Sequence, residues 1–273
     1  MSAHPIQAAV IQMKSGADVA SNLAWANGLL TQAARRGAQL AVLPENFACM
    51  TAHPEHLHAV AEDFGYGPIQ EALARMARRH GLWLVGGTLP LRNDDSRLSN
   101  TCLVFDERGQ LQRRYDKIHL FDVSVPGGET HQESANFAPG QEVIVINSPL
   151  GRLGLAVCYD LRFPELFRQM LAQGVEVIAL PAAFTHATGQ AHWDVLLRAR
   201  AIENQCFVLA AAQGGEHFPG RQTYGHSQII DPWGRTLGQH AYGWGLALAA
   251  FDREQQRTLR QRIPALSHRR LGV

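Results

Sequence analysis

The residue with the clearest chemical potential is Cys158, which ends the apolar run GLAVC. The polar and aromatic stretch YDLRF follows it, and Pro164 then begins a helical pattern. A cysteine between a buried strand and a helix lies at the carboxyl edge of a sheet, where α/β proteins bind ligands, and the positive end of the helix favours a thiolate or an oxyanion. Cys158 is therefore a candidate nucleophile, although its position alone favours an inert, buried structural thiol.

A nucleophilic thiol needs a base or a cation beside it, because an ordinary thiol pKa of about 8.5 leaves it mostly protonated at neutral pH. Three candidates occur in distant segments: Glu45 in AVLPENF, Lys117 in RRYDKIHLFDV and Glu133 in HQES. Glu45 follows a predicted buried strand and Lys117 ends another, whereas Glu133 lies in a long loop. Each also has an ordinary interpretation as a solvated surface charge, so none of them is specific by itself.

Histidine is the obvious rival for the base, and the chain has 13. The tract HPEHLH at residues 53–58 matches no standard zinc spacing and predicts a solvated loop. His119, His192 and His226 are interpreted as hydrogen-bonded structural residues. The glycine cluster at residues 85–87 is too short to be a phosphate loop, and no GxGxxG motif occurs. We therefore expect no metal and no cofactor.

Composition limits the class of partner. Lysine and arginine total 25 against 24 for aspartate and glutamate, so no global field exists to attract nucleic acid or an anionic membrane. No apolar stretch approaches the length of a membrane span, and the N-terminus lacks the pattern of a signal peptide. The cysteines are widely spaced and form no CxxC pair, which is typical of free thiols in a reducing compartment. These features predict a soluble, cytoplasmic protein that acts on a small molecule.

Alternating strand and helix patterns must position the candidate residues. A strand at 6–13, a helix at 18–36 and a strand at 40–43 require a crossover connection and hence parallel strands. The same pattern continues with helices at 69–79, 164–173 and 191–204 and strands at 82–86, 175–180 and 206–212. Hairpin signals between these units predict mixed sheets, and residues 122–140 form a long loop of a kind that is usually functional or disordered. With 273 residues and 46% hydrophobic content, we expect one α/β domain spanning 1–273.

Several segments together resemble a known family. LAVLPENF around Glu45, YDKIHLFDV around Lys117 and GLAVCYDLRFPEL around Cys158 resemble the three signature segments of the carbon–nitrogen hydrolase (nitrilase) superfamily, in the same order and with similar separations. Further on, AAFTHATGQAHWDVLLRARAIENQCFVLAAAQ and YGHSQIIDPWGR resemble the amidase branch that includes deaminated glutathione amidases and ω-amidases. The resemblance extends over nearly the whole chain and reverses the preference for a structural Cys158.

The resemblance implies a four-layer αββα sandwich with two mixed β-sheets. It also implies residue roles: Glu45 as general base, Lys117 as oxyanion stabiliser, Cys158 as nucleophile and Glu133 as a second active-site glutamate. Members of the superfamily commonly pair across a two-fold axis, so we expect a homodimer or a higher homo-oligomer, with the helices that begin at Pro164 and near residue 191 as candidate faces.

The physical chemistry agrees with these roles. One positioned carboxylate can take the thiol proton during attack on an amide and return it to the leaving nitrogen. Lys117 and the backbone N–H of Tyr159 could stabilise the oxyanion of the tetrahedral intermediate. Two carboxylates beside one lysine disfavour a free thiolate, so we predict that Cys158 is neutral in the resting protein.

Recognition of the substrate is less constrained. Arg162 could bind a substrate carboxylate through its bidentate guanidinium, but an ion pair with Asp160 or Glu165 is an equal alternative. Phe184 and Thr188 match pocket positions of the deaminated glutathione amidase branch, although Phe184 could equally be packed in the core.

The signals for the substrate conflict. The longer C-terminal match favours hydrolysis of deaminated glutathione to 2-oxoglutarate and cysteinylglycine, whereas KIHLFDVSVPG and HQES favour an ω-amidase acting on α-ketoglutaramate or α-ketosuccinamate. An inactive binding scaffold is a third alternative. A cysteine peptidase or a thiol oxidoreductase would need a paired histidine or a second nearby cysteine, and the sequence gives no sign of either.

Overall fold

The computed structural model describes residues 6–94, 96–125 and 130–271. Its helices are α1 (Val19–Arg35), α2 (Pro54–Val60), α3 (Pro68–His80), α4 (Pro164–Ala172), α5 (His186–Asn204) and α6 (Arg253–Arg262). Its strands are β1 (Ile6–Gln12), β2 (Ala38–Val42), β3 (Trp83–Val85), β4 (Leu89–Arg92), β5 (Leu98–Phe105), β6 (Leu111–Asp116), β7 (Asp122–Ser124), β8 (Thr130–Gln132), β9 (Phe137–Ala138), β10 (Val145–Ser148), β11 (Gly151–Leu155), β12 (Val177–Ala182), β13 (Phe207–Ala212), β14 (Gly214–Phe218), β15 (Arg221–Tyr224), β16 (Ser227–Ile230), β17 (Thr236–His240) and β18 (Gly245–Phe251).

Most of these strands form two large sheets. Within the described residues, the first sheet has eight strands in the order β18-β1-β2-β3-β5-β4, with β6 and β9 also paired to β5. The second has six strands in the order β10-β11-β12-β13-β16-β17. Strands β1, β2 and β3 are parallel, as are β11, β12 and β13, whereas the hairpin-connected pairs are antiparallel. The prediction of mixed sheets is confirmed.

The two sheets pack face to face, and helices cover their outer faces. Ala8 and Val10 of β1 belong to the core cluster shared with the second sheet, whereas Ala9 and Ile11 pack with residues of α1 and α3. Successive strand residues point to opposite faces, so a strand buried on both sides is apolar throughout. Helices α4 and α5 pack on the other face of the second sheet. The fold is the predicted αββα sandwich.

Local capping explains where two helices begin. Asp18 accepts a hydrogen bond from the Ser21 N–H at 2.9 Å, as expected for an N-cap, and the helix predicted at 18–36 is observed as α1. Helix α5 begins at His186, five residues before the predicted start at 191, because Thr185 caps it by accepting from the Thr188 N–H at 3.3 Å.

The histidine tract at 53–58 forms α2 rather than the predicted solvated loop. Pro54 occupies the first turn, where its fixed φ suits a helix and its missing N–H costs nothing. His53 Nδ1 and Glu55 Oε1 lie 3.4 Å apart on the exposed surface. Among the described residues, no group of three or more histidine, cysteine, aspartate or glutamate side chains is arranged to hold a metal ion.

The predicted loop at 122–140 contains regular structure on both sides of residues 126–129, which lie outside the described part of the chain. Strands β7 and β8 form a hairpin with Asp122 opposite Gln132. A 3₁₀ turn at Glu133–Ala135 follows, and β9 then pairs with β5. Backbone pairing on both sides therefore holds Glu133 in place.

Gly87 has a structural function next to the candidate site. Its φ of +63° lies in the left-handed region, and a Cβ there would collide with the carbonyl oxygen of Pro44. Glycine is the residue that tolerates both conditions, and it allows the chain after β3 to pack against the backbone that precedes Glu45. Within the described ranges, no helix is long and apolar enough to cross a bilayer.

Candidate active site

Four sequence-predicted residues meet at one cavity of about 470 Å³. Glu45, Lys117 and Cys158 each follow the end of a strand, namely β2, β6 and β11, and Glu133 lies in the turn after β8. All four line the cavity. The volume is in the range of about 300–1,000 Å³ that is typical of sites for small molecules.

Lys117 is the electrostatic centre of this group. Its Nζ donates to Glu45 Oε1 at 2.8 Å and to Glu133 Oε1 and Oε2 at 3.0 and 2.8 Å. The Lys117 side chain is 2% exposed and that of Glu45 4%, so solvent screens this pair only weakly. Burial alone would lower the pKa of Lys117, but the charges of Glu133 and Glu45 outweigh it and raise that pKa well above its ordinary value. Lys117 is therefore an ammonium throughout the neutral range.

The two carboxylates have different surroundings. Glu133 accepts a further bond from the Phe121 N–H at 2.7 Å and one from Asn100 Nδ2 at 3.0 Å. Asn100 Nδ2 also donates to Glu45 Oε1 at 3.2 Å. Glu133 is thus held by bonds on both of its oxygens, whereas the charge of Glu45 acts on the Cys158 thiol.

Cys158 lies on a strained turn. Its φ is +49°, a region that residues other than glycine rarely adopt. The residues from Cys158 to Arg162 form a 3₁₀ turn, and α4 begins only at Pro164. Helix α4 begins at the predicted residue, Pro164, and the 3₁₀ turn separates its N-terminus from the thiol.

Asp160 holds this turn in place. Its carboxylate is fully buried and accepts from the Val157 N–H at 2.8 Å and from the Tyr115 hydroxyl at 2.6 Å. It also bonds the backbone N–H and the Nδ1 of His119 at 3.0 and 2.7 Å. Tyr115 and His119 flank Lys117 in the chain, so one buried acid fastens the Cys158 turn to the segment that carries Lys117.

The surroundings of Cys158 favour a neutral thiol. Burial raises its pKa well above the ordinary value, and the negative charge of Glu45 raises it further, while Lys117 acts in the opposite direction. This direction agrees with the predicted neutral resting state. Cys49 also lines the cavity, and burial raises its pKa to about 11.

Three of the four predicted pocket residues, Tyr159, Phe184 and Thr188, line the cavity. Arg162 is not among the described residues that line the cavity, and its role in substrate binding stays a prediction. Its guanidinium lies 5.8 Å from the Tyr159 ring centroid and 5.3 Å from that of Phe184, and its Nη1 is 3.3 Å from Nδ1 of His192. Within the described chain it forms no ion pair with Asp160 or Glu165, the suggested alternatives, since Asp160 is bonded to other groups.

Two polar residues on the cavity wall were not predicted from the sequence. Arg221, at the start of β15, lines the cavity and donates from Nη2 to the Ala183 carbonyl at 3.0 Å. Its Nη1 is 3.4 Å from Nε2 of His131 in β8, which also lines the cavity. Arg221 lies in no motif identified from the sequence, whereas His131 belongs to the HQES segment. Asn100 did leave a signal, because an asparagine within the wholly buried strand LSNTCLVF is unusual.

The three histidines interpreted as structural all contact other side chains or the backbone. His119 stacks on Phe163 with ring centroids 3.7 Å apart and bonds Asp160. His226 stacks on Tyr224 at 4.0 Å and bonds its carbonyl through Nδ1. His192 contacts Arg162 as described above.

The fold and the site define a class. A buried cysteine with a carboxylate and an ammonium, at the edge of an αββα sandwich, is the arrangement of an enzyme that works through a thiol. The carbon-nitrogen hydrolase family matches residues 7–261 of the chain. The protein belongs to that family and is a carbon–nitrogen hydrolase that acts on amides.

Individual relatives support this assignment. The chain is 42% identical over 265 residues to a deaminated glutathione amidase of Yersinia enterocolitica, covering 96% of this chain and 92% of that protein. Among solved structures, Nit3 of Saccharomyces cerevisiae, a nitrilase superfamily member, matches with a TM-score of 0.88 and 28% identity over 98% of each chain. An amidase of Nesterenkonia sp. AN1, solved with acrylamide added at its active-site cysteine, matches with a TM-score of 0.76 and 26% identity, covering 96% of this chain and 99% of that one.

The geometry predicts the titration of Cys158. Because burial and Glu45 raise its pKa, the ultraviolet thiolate absorbance of Cys158, taken as the difference from a Cys158→Ser variant, should be absent at neutral pH and at the ordinary thiol pKa of about 8.5. Replacing Glu45 by Gln removes the acid that raises this pKa and should shift the thiolate signal to lower pH. A thiolate already present in the unmodified protein at pH 7 would contradict this account.

Proposed function

We propose that this protein hydrolyses the α-ketoglutaramyl amide bond of deaminated glutathione, giving 2-oxoglutarate and cysteinylglycine through a thioester on Cys158. The observation that carries the proposal is the contact of one buried ammonium, Lys117, with Glu45 and Glu133 in the cavity that Cys158 lines. Relatives named deaminated glutathione amidase, which are about as long as this chain, support the choice of substrate.

In the first half-reaction, the Cys158 sulfur attacks the amide carbon and its proton passes to Glu45. The carbonyl oxygen becomes an oxyanion, which the Lys117 ammonium and the Tyr159 N–H stabilise; one such donor contributes about 3 kcal/mol. The C–N bond then breaks, and Glu45 returns the proton to the departing nitrogen. Cysteinylglycine leaves with a free amine, and the acyl group remains on Cys158.

In the second half-reaction, Glu45 takes a proton from a water molecule that attacks the thioester. The same donors stabilise the second oxyanion. The C–S bond breaks, the proton returns to the sulfur, and 2-oxoglutarate leaves with the oxygen of that water. Glu133 does not exchange protons in this scheme; it keeps Lys117 charged and in position.

An ω-amidase activity is the second candidate, and one observation favours it. The HQES segment, which carries the ω-amidase resemblance, forms part of the cavity wall through His131, Gln132 and Glu133. Both substrates share the 2-oxo acid and differ in the leaving amine, so the choice depends on how well the cavity accommodates a dipeptide.

Steady-state rates on the two amides distinguish these candidates. We expect kcat/KM to be higher for deaminated glutathione than for α-ketoglutaramate, because the relatives at about 42% identity are named for that substrate. Cys158→Ala should lower kcat by at least about a thousandfold, and Lys117→Met by about 10²–10³-fold. Cys102→Ala, which removes a buried thiol in β5 away from the cavity wall, is the matched control and should retain activity. A higher kcat/KM for α-ketoglutaramate would assign the ω-amidase activity instead.

We propose Arg221, rather than Arg162, as the contact for a substrate carboxylate. Arg221 lines the cavity, and a guanidinium there can bind a substrate carboxylate through a charge-assisted hydrogen bond. Arg221→Gln should raise KM for deaminated glutathione by about 10–100-fold with a smaller change in kcat, since a charge-assisted hydrogen bond contributes about 1.5–3 kcal/mol. Arg162→Gln is the matched control. If it raises KM and Arg221→Gln does not, the assignment of Arg221 fails.

We also propose that the chain forms a homodimer through α4 and α5 and works in the cytoplasm. Val195 and Ile202 on α5 are 66% and 51% exposed, and Trp233, which precedes the Gly234 that packs against Ile202, is 53% exposed. Exposed apolar residues of this kind mediate association. Light scattering should give twice the 30.0 kDa mass of the chain, and Ile202→Glu should lower it toward the monomer. A monomeric mass for the unmodified protein would refute the dimer.

Neither nucleic acid nor membrane is an expected partner.

A further inference from the structure

Asn100 forms hydrogen bonds with both candidate carboxylates, Glu45 and Glu133. Its backbone carbonyl accepts from the Lys117 N–H at 3.0 Å, so the two residues lie opposite each other where β5 and β6 pair. Residues opposite each other in an antiparallel pair project to the same face. Asn100 is 3% exposed and is not among the described residues that line the cavity.

The side-chain amide of Asn100 duplicates the contacts of Lys117. Asn100 Nδ2 donates to Glu45 Oε1 and Glu133 Oε1 at 3.2 and 3.0 Å. The Lys117 Nζ donates to the same two oxygens at 2.8 and 3.0 Å. The buried Glu45 and the partly buried Glu133 thus share one cation and one neutral donor. Asparagine donates two N–H hydrogen bonds and carries no charge. A second cation in its place would bind Glu45 more tightly and weaken it as a base.

We propose that Asn100 is a positioning residue that keeps Glu45 and Glu133 ionised together beside Lys117 and fixes the direction of Glu45. Two carboxylates near one cation repel each other, and the second tends to take up a proton. Hydrogen bonds donated to the ionised form oppose that uptake. The inference rests on the proposed function, because it assigns Asn100 its effect through Glu45 as base.

Other titratable or charged side chains lie around Glu45 and Glu133 and affect the protonation of these two carboxylates. They are Lys117, Cys158, Cys49, His131 and Arg221 around the cavity and Asp122 near Lys117. Of these, Lys117 donates to both carboxylates. A change of Asn100 removes the second donor that joins the same two oxygens.

The test compares Asn100→Leu and Asn100→Asp with the unmodified protein over a range of pH. Loss of the amide donors favours protonation of the carboxylate pair, so the acidic limb of kcat/KM should move to higher pH by about one unit or more. kcat at neutral pH should fall at least about tenfold, with partial recovery at alkaline pH and little change in KM. Asn100→Asp adds a third acid and should move the limb further.

A neighbouring residue provides the matched control. Thr101, also buried in β5, donates its hydroxyl to Asp116 Oδ1 at 2.6 Å, outside the carboxylate pair. Thr101→Val should lower the melting temperature and leave the acidic limb in place. If the Asn100 variants behave like Thr101→Val, with lower stability and an unmoved limb, Asn100 is only a structural residue and the proposal is wrong.

A second measurement does not depend on turnover. Carbon-13 NMR of labelled glutamate side chains in a Cys158→Ser background follows the ionisation of Glu45 and Glu133 directly. Asn100→Asp should move the titration of at least one of them to higher pH, and an unchanged titration would overturn the inference. An unmodified protein that turns over neither amide would instead refute the proposed function, so the two failures are distinguishable.

Discussion

A lysine ammonium that is 2% exposed to solvent is the constraint on which the site depends. Burying a charge costs several kcal/mol unless partners with good geometry compensate for it. Here the partners are Glu45 and Glu133, which lie 72 and 16 residues from Lys117 in the chain. Three segments must therefore come together correctly, or the fold carries an unpaired internal charge. The pairing also leaves one excess negative charge, and that excess favours a neutral thiol at Cys158.

Buried polar side chains fix the segments that meet there. Asp160 ties the Cys158 turn to Tyr115 and His119 on either side of Lys117. Gln213, at the end of β13, donates to the backbone carbonyl of Glu45 at 3.0 Å and to the Ser15 hydroxyl at 2.8 Å, so it joins the two sheets next to the site. Networks of this kind stabilise the fold only when every member is satisfied, and the same bonds hold the reacting groups to a narrow range of positions.

Much of this arrangement could be predicted from the sequence. Glu45 and Cys158 follow apolar runs that end parallel strands, and such ends share one edge of a sheet. The strand and helix patterns are strongly periodic, so the layers of the fold were also predictable. Helix α5 was placed too late because its first turn, with Thr185 as cap, has little apolar periodicity.

Other features depend on relations between distant segments. Asn100 contacts both carboxylates only because β5 and β6 pair in a particular register, and a slip of one residue would turn its side chain to the opposite face. Arg162 was expected to bind a substrate carboxylate because it lies four residues after Cys158. In the structure its guanidinium lies next to His192 and the rings of Tyr159 and Phe184. Arg221, 63 residues further along the chain than Cys158, reaches the cavity through β15, which no local pattern indicates.

The central claim is that Cys158 forms a covalent acyl intermediate under the control of Glu45 and Lys117. Mass spectrometry of protein quenched in acid during turnover of deaminated glutathione tests it most directly. We expect an added 2-oxoglutaryl group on the peptide that contains Cys158, and no such adduct in Cys158→Ala. An adduct on another cysteine, or turnover that persists in Cys158→Ala, would contradict it.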